Sequence, residues 1–120
     1  MTQMSYMLLI VEPRGQRSAR TRAEGEALYE RMRHFAGELQ SRGVLIGAES
    51  LVSDDQSTRV QVRNGEVRLV DGPYAEAKEM VGGFFLLDVG TQGEALAIAK
   101  DCPAAEWCSV EVREIGPCFR

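Results

Sequence analysis

The sequence repeats one local arrangement: an apolar run followed by a Thr-x-x-Glu helix start. Thr21 with Glu24, and Thr91 with Glu94, have the spacing of a capping box, in which each side chain bonds the other residue's backbone N–H. The apolar residues 6–12 precede the first signal, and residues 84–89 precede the second. Runs of this length are typical of strands buried on both faces. The chain is therefore predicted to contain two strand–helix units.

The first helix is predicted over residues 22–42. Its apolar positions recur at steps of four, three and four, which is one stripe of an amphipathic helix: Leu28, Met32, Phe35 and Leu39. Gly43 tolerates positive φ and is expected to end it. The second helix follows Thr91, with Leu96, Ala99 and Cys102 predicted to face inward.

The remaining pattern predicts strands. A second strand is expected over residues 44–51, and a last strand over residues 109–115. Between them, residues 58–69 alternate apolar and polar around Asn64-Gly65, the dipeptide favoured in type I′ hairpin turns. The order is that of a single α+β domain over residues 1–120, a ferredoxin-like βαββαβ fold with an inserted β-hairpin.

Two helices cover only one face of such a sheet. Phe84 and Phe85 are expected to point to opposite faces, so apolar side chains lie on the uncovered side as well. Two-fold homodimers are the commonest oligomers, so a second copy is the simplest cover. The sequence predicts a homodimer.

Composition excludes several functions. Fourteen Lys and Arg against 18 Asp and Glu give a net charge of −4, which argues against a nucleic-acid partner. No apolar run reaches the ~20 residues of a membrane span, and residues 1–4 do not start like a signal peptide. Three cysteines without a Cys-x-x-Cys pair predict reduced thiols in the cytoplasm. His34 is the single histidine, and no metal or cofactor motif is present, so neither is predicted.

Residues 71–79 (DGPYAEAKE), followed by Gly82-Gly83-Phe84-Phe85, carry a family resemblance. Together with residues 6–10, 43–49 and 109–113, they resemble the DGPF proteins of the YCII-related superfamily. Tyr74 stands where that family usually has Phe. The resemblance covers most of the chain in the expected order.

The resemblance implies a dimeric α/β barrel and a role that is largely undefined. It also implies, for some members, an association with extracytoplasmic-function sigma factors. The wider group is thought to use a His–Asp pair with the histidine on the first helix. His34 is on that helix, but counted back from Gly43 the matching position is nearer Met32.

The candidate site residues lie mainly in the 71–79 segment. Three carboxylates, an amine and a phenol could line a ligand pocket, move protons or hold a divalent ion through oxygen ligands, or could simply build a rigid loop: Asp71, Glu76, Glu79, Lys78 and Tyr74. Glu49 would join them if the end of the second strand meets this loop. Packing is the favoured role for the Tyr74 ring. A basic loop could meet phosphate or an acidic partner, although such a run is more often solvated surface: Arg14, Arg17, Arg20 and Arg22.

Two functions are compatible with these patterns. The first is a homodimeric module that binds a small polar ligand or regulates another protein, without turnover. The second is a cofactor-free enzyme with Asp71 or Glu76 as base and Lys78 or Tyr74 polarising an oxyanion. A buried carboxylate beside Lys78 would favour the enzyme, whereas exposed loop carboxylates would not.

Overall fold

The computed structural model describes residues 5–120, and the expectation about a signal peptide in residues 1–4 lies outside them. The two helices are α1 (Arg22–Ser41) and α2 (Gln92–Asp101). The six strands are β1 (Tyr6–Pro13), β2 (Leu45–Ser50), β3 (Thr58–Arg63), β4 (Glu66–Asp71), β5 (Glu79–Leu87) and β6 (Ser109–Glu114). Short 3-10 helices span Asp54–Gln56 and Pro103–Glu106. Neither described helix is long and apolar enough to cross a membrane.

Four strands form an antiparallel sheet in the order β2-β5-β1-β6. This order places the strand after the hairpin between the first two, as the split βαβ plan requires. Both helices cover one face, where Phe35 of α1 meets Phe85 edge to face with ring centroids 5.2 Å apart. The predicted ferredoxin-like α+β fold is confirmed.

The helix boundaries follow the predicted signals. Thr21 and Glu24 form both hydrogen bonds of the capping box, and Gly43 has φ of +73° just after α1. At α2, Thr91 accepts from the Glu94 backbone, but the Glu94 carboxylate accepts from Gly90 instead. Both starts are therefore fixed by side-chain capping.

Within residues 5–120, strands β3 and β4 pair only with each other and form an arm. Asn64 and Gly65 have φ of +53° and +78°, the positive values that a type I′ turn needs. One face of the arm is apolar and more than half exposed: Val60, Val62, Val67 and Leu69.

Three local predictions were wrong. Strand β5 begins at Glu79, earlier than the glycine pair, because Glu79 and Met80 pair with the end of β1. Leu96 is 41% exposed, since Ala95 and Ile98 face the core instead. Strand β1 is fully buried only on its helix-facing side, while Met7, Leu9 and Val11 on the other side are partly exposed.

Candidate functional site

A groove of about 610 Å³ opens between α1 and the sheet. Leu28, Met32 and Ala36 of α1 form one wall. The rest is formed by the segment before α1, the ends of β1 and β2, the middle of β5 and residues 104 and 107. Its volume is within the range of small-molecule sites, about 300–1,000 Å³. The charged residues that line it are Glu12, Arg17, Arg20, Arg22, Arg33 and Glu49.

Glu12 is the one charged residue of the described chain that is buried, at 8% exposure. It occupies the last inward position of β1, after Tyr6, Leu8 and Ile10. Arg17 binds it with two hydrogen bonds, Nε to Oε1 at 2.5 Å and Nη2 to Oε2 at 3.1 Å. A buried carboxylate needs such a partner, because desolvation alone would favour its neutral form. The pair places a fixed polar group beside the apolar wall formed by α1.

Gly82 makes room for this carboxylate. The pairing of β1 with β5 shifts between Ile10 and Val11, so Gly82 is an extra residue opposite that step. A Cβ on Gly82 would overlap the Glu12 carboxylate and press on the Arg17 guanidinium. The second glycine, Gly83, is equally constrained, because its Cβ would fall 2.7 Å from the Glu49 carbonyl oxygen of β2. The Gly82-Gly83 pair thus permits close approach on both sides of β5.

Trp107, which also lines the groove, is held by two interactions. Its carbonyl accepts a hydrogen bond of 2.5 Å from Gln16 Nε2, and the Arg31 guanidinium lies 5.4 Å from its ring centroid. Arg31 is also held by Glu106, with Nη2 2.6 Å from Oε2. The pKa of Glu106 is lowered by this hydrogen bond, so the pair is ionised at neutral pH. Trp107 is therefore held in place from both sides.

The 71–79 segment is not part of the groove and forms a tight loop at the base of the arm. Tyr74 is buried, its hydroxyl lies 2.8 Å from Ser57 Oγ, and Arg59 lies 3.7 Å above its ring. Arg59 also pairs with Glu76, and its hydrogen bond lowers the pKa of that carboxyl. A carboxylate with a lowered pKa is a weak base at neutral pH. The Tyr74 ring packs, as the sequence favoured.

Gly72 joins this loop to the turn before β3. Its backbone N–H donates to the Ser57 carbonyl at 2.8 Å, and a Cβ would overlap the Asp54 carbonyl. The Asp54 side chain in turn binds both terminal nitrogens of Arg14, just after β1. This hydrogen bonding lowers the pKa of Asp54. Arg14 therefore anchors the arm to the central sheet.

The other predicted residues are dispersed. Asp71 is exposed and accepts from Thr58 Oγ1 at 2.9 Å. Lys78 and Glu79 are exposed at the start of β5, and among residues 5–120 neither forms an ion pair. Glu49 pairs in register with Phe84, roughly 20 Å along β5 from Lys78. Of these candidates, Glu49 alone lines the groove.

His34 points away from the groove. Its side chain is 78% exposed, with Nε2 3.2 Å from Oε1 of Glu38 on the outer surface of α1. Met32, which is nearer the position counted back from Gly43 for the histidine implied by the resemblance, lines the groove instead. Residues 5–120 contain no cluster of three or more His, Cys, Asp or Glu that could hold a metal. The described side chains thus place no imidazole or metal centre at this site.

Sequence reasoning missed the groove and the Glu12–Arg17 pair. A signal was present, because Glu12 continues the every-second-residue pattern of inward positions in β1 and a basic loop follows. The sequence indicated that this loop could meet phosphate or an acidic partner. That the loop lies beside α1 and the sheet follows only from the fold.

Comparison with known proteins identifies a family and a relative of uncharacterized activity. The chain is 30% identical over 115 residues to an uncharacterized protein of Rhizobium meliloti (strain 1021), covering 94% of this chain and 93% of that protein. The family model of the YCII-related domain matches residues 4–118. The chain belongs to the YCII-related domain family.

Proposed function

We propose that this protein is a cytoplasmic homodimer of the DGPF type that binds a small molecule in the groove between α1 and the sheet. The observation that carries the proposal is the groove itself: an apolar wall beside the buried, hydrogen-bonded Glu12–Arg17 pair. Sites for small molecules typically combine an apolar lining with a few fixed polar groups. The free thiols Cys102, Cys108 and Cys118 are compatible with a reducing compartment.

The homodimer is supported by the side of the sheet that carries no helix. There, partly exposed apolar side chains form a continuous surface over two adjacent strands: Met7, Leu9, Val11, Phe84 and Leu86. The apolar face of the arm is also exposed. The radius of gyration is 16.3 Å, against roughly 13.6 Å for a compact chain of this length. Contiguous exposed apolar surfaces are typical of interfaces.

The enzyme alternative has less support. Glu76 is occupied by Arg59, and Asp71 and Lys78 are exposed rather than enclosed together. An acid–base mechanism at neutral pH would need a desolvated carboxylate near its partner. Association with an extracytoplasmic-function sigma factor stays a prediction from the family resemblance.

A thermal-shift screen of metabolites and divalent ions tests the binding function. A ligand that binds only the folded state, at a free concentration of 100 times its Kd, stabilises that state by about 2.7 kcal/mol. We expect at least one organic hit, lost in Ala36→Trp, because an indole at Ala36 would obstruct the groove along the wall formed by α1. Ala23→Trp, at an exposed position of the same helix outside the groove, should keep the hit.

Two loop variants locate the site. Hits that survive Asp71→Asn and Lys78→Ala but disappear in Ala36→Trp support the groove. Hits lost in the loop variants and kept in Ala36→Trp would contradict it and favour the enzyme alternative.

A further inference from the structure

The groove is positively charged although the chain is negative. Its lining includes four arginines and two glutamates, an excess of two positive charges, whereas the whole chain has a net charge of −4. Four of the chain's 14 basic residues thus surround one cavity. Charges of one sign along a cleft raise the local concentration of ligands of the opposite sign.

The arginines differ in how strongly they are occupied. Arg17 is committed to Glu12 through Nε and Nη2, and Nη1 makes no hydrogen bond to the described residues. Arg22 and Arg33 pair with Glu26 and Glu30 of the same helix at 2.8 and 3.7 Å, with exposed side chains. Exposed pairs of this kind contribute little and exchange readily.

Arg20 is the cation most available to a ligand. It is partly buried at the groove and forms no ion pair with residues 5–120. A guanidinium presents its N–H groups as a fork that matches the two oxygens of a carboxylate. Glu12, the buried negative group, already accepts two hydrogen bonds from Arg17 and is not available to a cationic ligand.

The remaining lining is apolar and partly open. Leu28 and Met32 are half-buried on α1, and Tyr29 is 53% exposed beside them. Across the groove, Leu51 and Val52 are 47% and 77% exposed. These side chains offer apolar surface on both sides of a bound molecule. An inorganic ion would leave that surface uncovered.

We propose that the groove binds an amphipathic organic anion, with a carboxylate head at Arg20 and an aromatic or branched apolar body between α1, the end of β2 and the middle of β5. This assignment rests on the proposed binding function and adds the chemical class of the ligand. The head and body requirements come from separate observations, the unpaired arginine and the exposed apolar walls.

Three probes with the same body and different heads test the assignment: phenylbutyrate, phenylbutanol and phenylbutylamine. Isothermal titration calorimetry on the full chain should show phenylbutyrate binding about tenfold more tightly than the alcohol, since a charge-assisted hydrogen bond is worth about that factor. The amine should bind most weakly. Ala36→Trp should abolish binding of all three.

Substitutions at Arg20 link the preference to the predicted contact. Arg20→Gln should weaken phenylbutyrate about tenfold and leave phenylbutanol nearly unchanged. Arg20→Lys should retain part of the preference, because it keeps the charge but loses the fork. The matched control is Arg63→Gln, which removes an exposed arginine on the arm, outside the groove, and should change neither probe.

The outcomes separate this inference from the function on which it rests. Equal affinity for the three probes, still lost in Ala36→Trp, would overturn the anion assignment and leave groove binding intact. A carboxylate preference that Arg20→Gln does not alter would also overturn it. Failure of all three probes to bind would overturn the ligand class, while an independent hit in the metabolite screen would preserve the binding function.

Discussion

The Glu12 carboxylate on β1 lies in the space that a side chain on Gly82 of β5 would need. A methyl group at position 82 would meet the mobile end of the Glu12 side chain. The free-energy cost of adding it therefore depends on how firmly the Glu12 carboxylate is held. Arg17 holds it with two hydrogen bonds. Gly82, Glu12 and Arg17 therefore form one coupled unit beneath the groove.

Gly82→Ala should lower the free energy of unfolding by about 1–3 kcal/mol, because the methyl group must push Glu12 away from Arg17. Chemical denaturation with urea measures this change. In a Glu12→Ala background the cost of Gly82→Ala should shrink, since the overlapping carboxylate is gone. Gly37→Ala, in an open helical position, is the control and should raise stability by about 0.5–1 kcal/mol. Equal costs in both backgrounds would contradict the coupling.

The Arg14–Asp54 pair that anchors the arm should lose its stabilising effect at acid pH. Arg14 lowers the pKa of Asp54 below its ordinary 3.8, so the folded state binds this proton more weakly than the unfolded state. The stabilisation is fully present above that ordinary value and is lost as pH falls through the lower, folded-state pKa. Unfolding of the wild type and Asp54→Asn, compared from pH 7 to pH 2, measures it. We expect a difference at pH 7 that disappears at the acid end; a constant difference would contradict this role.

The cysteines should differ in reactivity. Burial raises the pKa of Cys102 to about 11, whereas Cys118 is exposed near the C-terminus. Since the thiolate is the reactive form, iodoacetamide at pH 8 should label Cys118 first and leave Cys102 unmodified in the folded protein. Mass spectrometry after digestion identifies the sites, and Cys118→Ser should remove the fast phase. Equally rapid labelling of Cys102 would contradict its burial.

The fold was predictable because its signals are local. The capping box at Thr21, the stop at Gly43 and the Asn64-Gly65 turn each fix a boundary through the geometry of a few neighbouring residues. The start of β5 was missed because it depends on pairing with β1, and residues 79–80 have no strand pattern of their own. The prediction that Leu96 faces inward was wrong because the neighbouring elements, and not Leu96 itself, determine which side of α2 is covered.

The site was harder to predict because it combines distant segments. The sequence drew attention to the 71–79 loop, whose Gly72 and Tyr74 are explained by close packing against the turn before β3. The groove instead unites the end of β1, the loop before α1 and one side of that helix. Glu12 is polar in an apolar pattern, and only the bulge at Gly82 explains why it is buried there.

The central claim is that a second copy covers the sheet face without helices. Sedimentation velocity at micromolar concentration tests it directly, with Leu9→Glu placing a charge in the centre of that face and Leu96→Glu placing one on the exposed side of α2. Circular dichroism should confirm that both variants are folded. The account predicts a species with the mass of two chains for the wild type and Leu96→Glu, and a monomer for Leu9→Glu. A wild-type protein that sediments as a monomer would contradict it.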